Sequence, residues 1–185
     1  MNKENAANSK NIRNSVEQKK LIVVNGTMGV GKTATCRLLN KKLNNSVWLD
    51  GDWCWQINPF VVNEENKKMV EDNIQHLLRS YLSNSTLEYV IFNWVIHRED
   101  IMDMVLNMVK DFDFQLFRIT LTCSEEALIK RISKDVEEGL RKEEQIEWSL
   151  EKLPMYGEQQ TIKIDTSDIG VDETVERVLE ILEGI

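Results

Sequence analysis

The sequence predicts an α/β domain in three layers, with a parallel β-sheet between two layers of helices. Short runs of β-branched and aromatic residues alternate along the chain with stretches whose apolar residues recur at helical spacing. The strand-like runs have continuous apolar cores, which is typical of strands buried on both faces. This alternation favours right-handed crossovers and a parallel sheet. The predicted strands are Leu21–Asn25, Val47–Asp50, Tyr89–Trp94, Gln115–Thr122 and Thr161–Asp165.

Amphipathic helices are predicted between these strands and after the last one. They are Thr33–Leu43, Asn63–Leu82, His97–Lys110, Ser124–Ile132, Lys142–Leu153 and Asp172–Leu182. The segment before the first strand, residues 1–18, is polar and rich in Asn, so it buries too little apolar surface to offset the entropy of ordering. We therefore expect a flexible tail followed by a single domain over residues 19–185.

The charge distribution argues against nucleic acid as a partner. The 185 residues carry 23 Lys and Arg against 31 Asp and Glu, a net charge of −8. Residues 1–62 hold nine basic and four acidic side chains, whereas the rest of the chain is acidic. Without a continuous basic surface the chain is unsuited to binding the phosphate backbone of a nucleic acid. We expect any anionic ligand to be held by a few groups in the first third.

Cysteine usage and hydropathy predict a cytoplasmic protein. Cys36, Cys54 and Cys123 are odd in number and show no paired spacing, as expected in a reducing compartment. The longest apolar stretch, Tyr89–Ile96, is far too short to cross a bilayer. Residues 1–20 lack the apolar centre of a secretory signal. We expect no membrane partner.

One motif carries strong chemical information. Residues 26–33, GTMGVGKT, match G-x-x-x-x-G-K-[ST] and stand between a predicted strand and a predicted helix. In such a P-loop (Walker A motif) the backbone N–H groups cradle phosphate oxygens at a helix N-terminus. Lys32 then contacts the β- and γ-phosphates, and the Thr33 hydroxyl ligates Mg²⁺. The predicted ATP-binding residues in this region are Gly26, Thr27, Met28, Gly29, Val30, Gly31, Lys32, Thr33 and Thr35.

The rest of the sequence narrows the class of P-loop protein. The D-x-x-G and N-K-x-D elements of GTPases are missing, and the third strand has Asn93 where motor-type ATPases have an acid. Among the classes of P-loop protein, this leaves a small phosphotransferase.

The second strand ends in VWLDGD, which places Asp50 and Asp52 at a carboxyl edge of the sheet. One carboxylate is suited to hold Mg²⁺, and the other to accept the proton of an attacking hydroxyl.

GTMGVGKT followed by LDGD resembles the P-loop small-molecule kinases, such as shikimate kinase, gluconate kinase, adenylylsulfate kinase and chloramphenicol phosphotransferase. The resemblance spans roughly residues 20–183 and implies a five-stranded sheet of order 2-3-1-4-5. It implies that Asp50 positions the metal and that Asp52 contacts the acceptor. It also implies a lid over residues 131–141, in which Arg131 stacks on adenine and Arg141 or Lys134 closes onto the phosphates. The chain after the last strand, Asp165–Asp168, would lie against the base.

The acceptor site departs from the shikimate kinase pattern. The glycine cluster after the third strand and the basic pair for an acid substrate are missing, and large aromatic residues stand nearby. These aromatic residues either pack in the core or form an apolar wall around a nucleoside-like or antibiotic-like acceptor. Helix 63–82 is expected to cover that site. The predicted acceptor-binding residues are Asp52, Trp53, Trp94 and Arg98.

The predicted function is Mg²⁺-dependent transfer of the ATP γ-phosphoryl group to a hydroxyl of a small molecule. The residues expected to carry the reaction are Lys32, Asp52 and Arg141. Two alternatives stay open. A nucleoside or nucleotide kinase would need more cationic groups around a phosphorylated acceptor than Arg79 and Arg98 provide. A non-enzymatic ATP-binding switch would use the P-loop without transferring phosphate.

Overall fold

A computed structural model of the chain describes residues 18–184. The predicted α/β fold is confirmed: five parallel strands in the order 2-3-1-4-5 are flanked in this part of the chain by six α-helices. The strands are β1 Lys20–Asn25, β2 Ser46–Asp50, β3 Tyr89–Asn93, β4 Gln115–Thr122 and β5 Ile162–Asp165. The helices are α1 Lys32–Lys42, α2 Glu64–Ser83, α3 Glu99–Asn107, α4 Glu125–Glu137, α5 Glu144–Gly157 and α6 Val171–Glu183. Of the predicted tail over residues 1–18, all but Gln18 lies outside the described residues.

The sheet brings the functional segments to one edge. Strand β1 lies at its centre, with β3 on one side and β4 on the other. Because all the strands run the same way, their carboxyl ends meet at a single edge, where open α/β sheets bind ligands. Asp50 at the end of β2 lies opposite Asn93 at the end of β3, and Asn93 lies opposite Val24 of β1.

Alternate faces of β1 belong to two different apolar cores. Ile22 and Val24 pack with residues of α1, α4 and α6, whereas Leu21 and Val23 pack with residues of α2 and α3. Each of these four side chains is completely buried. Burying such a side chain contributes about 1.5–3 kcal/mol. The continuous apolar run LIVV is therefore required by helices on both faces.

Several predicted element boundaries differ from the observed ones. Helix α4 continues to Glu137, so the predicted lid over residues 131–141 begins inside a helix. Helix α5 continues through Pro154 to Gly157, because Tyr156 is completely buried and holds the last turn against the core. Helix α3 begins only at Glu99, which leaves His97 and Arg98 in the connection that follows β3.

A short 3-10 helix over Gly51–Trp55 follows β2 and had no signal in the sequence pattern. The Asp50 carboxylate caps it by accepting a hydrogen bond from the Asp52 backbone N–H at 3.1 Å. Helix α2 then packs Val70, Ile74, Leu78 and Leu82 against the sheet. Within residues 18–184, no helix combines the length and the apolar character needed to span a membrane.

Candidate active site

The P-loop joins β1 to α1 with a backbone that only glycine accommodates at its two ends. Gly26 has φ +144°, and a Cβ there would lie 2.6 Å from the Leu121 carbonyl oxygen. Gly31 has φ +107° and directly precedes α1. Its left-handed conformation is one that L side chains adopt only with strain. The loop thereby turns the N-terminus of α1, with its unpaired N–H groups, towards a cleft at the sheet edge.

This P-loop cleft has a volume of about 490 Å³. Its floor is formed by residues 28–35, and its walls include Asp52, Arg131, Arg141 and Thr166. The predicted ATP-binding residues found in the lining are Met28, Gly29, Val30, Gly31, Lys32, Thr33, Thr35 and Arg131. Gly26 and Thr27 are buried and do not line it. Instead, the Thr27 hydroxyl donates to the Ser149 carbonyl at 3.1 Å and ties the loop to α5.

Lys32 is the cation at the base of the cleft. Its side chain is only 8% exposed, and Nζ donates to the carbonyl oxygens of Gly26 and Thr27 at 2.8 and 2.9 Å. Burial lowers the pKa of Lys32 from 10.5 to about 8, against the opposing effect of Asp52 and Asp50. The ammonium group is therefore charged at neutral pH but poorly solvated, so an anion in the cleft would stabilise it strongly.

Thr33 and Asp50 form a pair of oxygen donors beside Lys32. The Thr33 hydroxyl donates to Asp50 Oδ2 at 2.8 Å, and the Asp50 carboxylate is buried at the end of β2. Hydroxyl and carboxylate oxygens are ligands that Mg²⁺ prefers. Residues 18–184 contain no cluster of three or more acidic, His or Cys side chains able to hold a metal ion alone. The Thr33–Asp50 pair fits Mg²⁺ sites, which take one or two protein oxygens and complete the shell with phosphates and water.

Asp52 lies between the P-loop cleft and a second cavity. It projects from the 3-10 helix and lines both spaces. Asp52 is exposed at the edge of the cleft, and the surrounding protein raises its pKa, chiefly through partial desolvation and then through the negative charge of Asp50. Lys32, Trp94 and Arg141 act in the opposite direction. A carboxylate with a raised pKa at this junction is suited to accept a proton.

The second space, which we call the aromatic cavity, has a volume of about 740 Å³. It shares Met28, Asp52 and Val95 with the P-loop cleft, so the two spaces adjoin each other at these residues. Its walls are largely apolar, with a few polar side chains among them. The aromatic residues of its lining are Trp55, Phe60, Trp94 and Trp148, and the charged or polar ones besides Asp52 are Gln56, Lys67, Glu71 and His97.

The four residues predicted to bind the acceptor have different positions. Asp52 and Trp94 line the aromatic cavity. Trp53 does not, because its ring packs edge-to-face on Trp48 with centroids 4.7 Å apart. Arg98 does not line it either, because its guanidinium group donates to both carboxylate oxygens of Asp100 at 2.8 and 2.6 Å. The structure therefore does not bring Trp53 and Arg98 to this cavity.

Glycine at position 51 brings Trp94 against the element that carries Asp52. A Cβ at Gly51 would lie 2.6 Å from Cγ of the Trp94 indole. The ring therefore packs directly on the backbone next to Asp52, and Trp94 contributes to both the wall of the aromatic cavity and the position of the carboxylate. The Asp-Gly-Asp pattern thus has a packing role that its turn chemistry alone did not reveal.

The segment over residues 131–141, predicted to form a lid, contributes two arginines to the lining of the P-loop cleft. Arg131 on α4 donates to the Thr166 hydroxyl at 3.0 Å and also to the Thr166 carbonyl, which ties α4 to the chain after β5. Arg141 Nε donates to Asp135 Oδ2 at 2.7 Å, and both of these side chains line the cleft. Lys134 is exposed, lies 3.8 Å from Glu138 and does not line the cleft.

A buried amide network fixes the start of the P-loop, and sequence reasoning missed it. Asn25 Oδ1 accepts hydrogen bonds from the backbone N–H groups of Gly26 and Ile96 at 2.7 and 3.0 Å. Its Nδ2 donates to Gln159 Oε1 at 2.5 Å, and Gln159 Nε2 donates to the Ile96 carbonyl at 2.7 Å. The network joins β1, the connection after β3 and the segment before β5.

The five-stranded parallel sheet and the P-loop cleft together give the chain a P-loop kinase fold. The family model described as AAA domain matches residues 22–149, and the chain belongs to that family. No curated protein gives a significant match.

Solved structures of low sequence identity match over nearly their whole length. A Deinococcus radiodurans tunicamycin resistance protein has a TM-score of 0.65 at 19% identity, with 89% of this chain and 96% of that one covered. A gluconokinase from Sinorhizobium meliloti 1021 gives 0.62 at 19%, with coverages of 89% and 95%. Shikimate kinase from Acinetobacter baumannii gives 0.61 at 18%, with coverages of 91% and 94%. The resemblance to the P-loop small-molecule kinases is confirmed at the level of the fold.

Proposed function

We propose that this chain is a phosphotransferase that moves the γ-phosphoryl group of Mg·ATP to a hydroxyl of a small molecule. The observation that carries the proposal is that the P-loop cleft and the aromatic cavity meet at Asp52. A phosphate-binding loop on one side and an apolar pocket on the other provide places for a donor and an acceptor. The carboxylate stands at their junction.

The P-loop side would hold the nucleotide. The N–H groups at the start of α1 and the Lys32 ammonium group would bind the β- and γ-phosphates. Thr33 and Asp50 would hold Mg²⁺, which when bound neutralises charge on those phosphates. Arg131, fixed to Thr166, borders the region proposed for the base. Arg141 would close towards the phosphates from the segment over residues 131–141, which we propose as a lid.

On the acceptor side, Asp52 would orient the attacking hydroxyl and take its proton. The hydroxyl oxygen forms a bond to the γ-phosphorus, and the bond from that phosphorus to the β–γ bridging oxygen breaks. The electron pair of the broken bond leaves with ADP, and the hydroxyl proton goes to the Asp52 carboxylate. Lys32 and Arg141 would stabilise the charge that develops on the transferred group. The raised pKa of Asp52 supports this role, because a more basic carboxylate accepts a proton more readily.

The walls of the aromatic cavity support an apolar or ring-bearing acceptor rather than a compact sugar acid. Trp55 and Phe60 lie with ring centroids 5.8 Å apart, and Trp94 and Trp148 line the same space. Helix α2 contributes Lys67 and Glu71 to the lining, which supports its proposed place beside the acceptor. The tunicamycin resistance protein among the structural neighbours is a reason to include hydroxylated antibiotics among candidate acceptors.

The experiment that tests this proposal is transfer of label from γ-labelled ATP into a fractionated pool of metabolites, nucleosides and hydroxylated antibiotics. The Lys32→Ala and Asp52→Asn variants are assayed beside the wild type, with Asp103→Asn as a matched control on the exposed face of α3. We expect a labelled product from the wild type and the control, and none from the other two. Intact Mg·ATP binding without any labelled product would favour the non-enzymatic switch.

A further inference from the structure

We propose that the acceptor is an uncharged or cationic molecule with an apolar ring portion, and that Glu71 binds its polar end. This inference rests on the proposed function, because it assumes that the aromatic cavity is the acceptor site. It names a substrate class and a specificity-determining residue that the sequence pattern did not single out. The argument follows from the charged groups that face the cavity and from what each of them already contacts.

Glu71 is the acidic side chain in the cavity wall that is available to a ligand. It lies on the second turn of α2, is partly buried and lines the cavity. It makes no side-chain hydrogen bond or ion pair with any residue in the range 18–184. A partly buried carboxylate without a protein partner can still accept hydrogen bonds from a ligand in the cavity. An ammonium or hydroxyl group on the acceptor would donate such a charge-assisted hydrogen bond.

The cationic groups near the cavity are already engaged. Lys67, one turn before Glu71, is paired with Glu64 Oε1 at 2.8 Å. Arg98 is paired with Asp100 outside the cavity. His97 lines the cavity, but burial and the neighbouring charge of Arg98 lower its pKa, which favours the neutral imidazole at neutral pH. The lining therefore offers an anionic acceptor no uncompensated cation.

The two carboxylates give the cavity its electrostatic character. Asp52 stands at the junction with the P-loop cleft and Glu71 stands in the wall, while the single lysine of the lining, Lys67, forms an exposed ion pair with Glu64. A sugar acid or a nucleoside monophosphate would be repelled by both, and like charges brought together in a partly desolvated space are costly. A neutral or cationic ring compound avoids that repulsion and packs against the aromatic side chains.

A matched set of three probes tests the inference by binding alone. The probes are naphthalene dimethanol, its analogue with one hydroxymethyl replaced by aminomethyl, and its analogue with that group replaced by carboxylate. Affinities for the full chain are measured by isothermal titration calorimetry at neutral pH. We expect the amine to bind about tenfold or more tightly than the carboxylate, with the diol between them. Glu71→Gln should reduce amine affinity about tenfold and diol affinity by a smaller factor of about threefold, because the hydroxyl loses a charge-assisted hydrogen bond but no ion pair.

Two further variants provide a matched control and a reversal of charge. Glu65→Gln removes an exposed carboxylate from the same helix outside the cavity lining, and it should leave all three affinities unchanged. Glu71→Lys should reverse the order, so that the carboxylate probe binds most tightly. Equal or tighter binding of the carboxylate by the wild type would overturn the inference. So would an unchanged order in Glu71→Lys, or failure of all three probes to bind.

Transfer of label from γ-labelled ATP to each bound probe is measured separately. Binding in the expected order supports the assigned charge preference whether or not transfer follows. Loss of transfer from every acceptor, with that binding order intact, would count against the proposed function and not against the charge preference of the cavity. The two failures are therefore distinguishable.

Discussion

The hydroxyl of Thr33 donates a hydrogen bond to Oδ2 of Asp50 at 2.8 Å, which joins the first turn of α1 to the end of β2. The other oxygen of Asp50 accepts from the backbone N–H of Asp52. One buried carboxylate therefore connects the P-loop to the element that carries Asp52. Asp50 thereby contributes, together with the pairing of β1, β2 and β3, to the relative positions of the P-loop cleft and Asp52.

The first prediction concerns Mg²⁺. Thr33→Val removes a hydroxyl and Asp50→Asn removes a charge from the proposed metal position. We expect each variant to raise the Mg²⁺ concentration required for half-maximal ATP binding by about tenfold or more. Thr33→Ser keeps the hydroxyl and should change it by less than about threefold. The measurement is a Mg²⁺ titration at fixed ATP concentration. An unchanged midpoint in Thr33→Val would show that Thr33 is not a ligand of the metal.

The second prediction is a pH dependence set by Lys32. Its pKa is lowered to about 8, so the ammonium form predominates below pH 8 and is lost as the pH rises above it. Because phosphate binding requires the charged form, the association constant for Mg·ATP should fall about fivefold between pH 8 and pH 9. An unperturbed lysine would show this fall only near pH 10.5.

The control for that titration is Lys32→Met. The variant should bind Mg·ATP weakly and show no fall between pH 8 and pH 9, because the titrating group is gone. Affinity of the wild type that stays constant across this range would show that Lys32 does not supply the charge that binds phosphate. Calorimetry at each pH, in buffers matched for ionic strength, gives the affinities directly.

The third prediction concerns the packing of Trp94 on Gly51. Gly51→Ala places a Cβ 2.6 Å from the indole Cγ, so the ring must move. We expect a loss of about 1–3 kcal/mol in the free energy of unfolding. A changed tryptophan fluorescence spectrum is also expected. Gly157→Ala is the matched control, since a Cβ there meets open space. Equal stabilities of the two variants by chemical denaturation would contradict the described packing.

The fourth prediction concerns the buried amide network behind the P-loop. Gln159→Ala leaves Asn25 Nδ2 and the Ile96 carbonyl without their partners. We expect the free energy of unfolding to fall by about 1–3 kcal/mol for each buried group left unsatisfied. Gln160→Ala changes an exposed neighbour and should have an effect within about 0.5 kcal/mol. Thermal unfolding compares the two, and equal melting temperatures would exclude the network as a stabilising element.

Local sequence patterns were sufficient to predict the α/β architecture and the P-loop, whereas the strand order came from the resemblance to the P-loop small-molecule kinases. The run LIVV is buried on both faces, and Gly26 and Gly31 are required by backbone conformations that other residues avoid. These signals are local because the physical requirement falls on the residue itself or on its nearest neighbours. The positions of Lys32 and Thr33 follow from the motif for the same reason.

Most of the residues that line the aromatic cavity could not be predicted from local sequence patterns. Trp148 comes from α5 and Glu71 from α2, and nothing in their local patterns distinguishes them from residues of solvated helix faces. Trp53 and Trp55 are two residues apart, yet Trp53 packs on Trp48 whereas Trp55 lines the cavity. Their separation depends on the 3-10 helix after β2 and on the path of the chain beyond it. Those are tertiary features that neither periodicity nor propensity encodes.

The most direct test of the central claim compares nucleotide binding and phosphoryl transfer in Asp52→Asn. The account predicts that the dissociation constant for Mg·ATP stays within about threefold of the wild-type value, since the phosphates are bound by the P-loop. It also predicts that the rate of transfer to the acceptor falls by about 10²–10⁴-fold, because the proton acceptor is lost. A variant that binds Mg·ATP normally and still transfers phosphate at the wild-type rate would contradict the account.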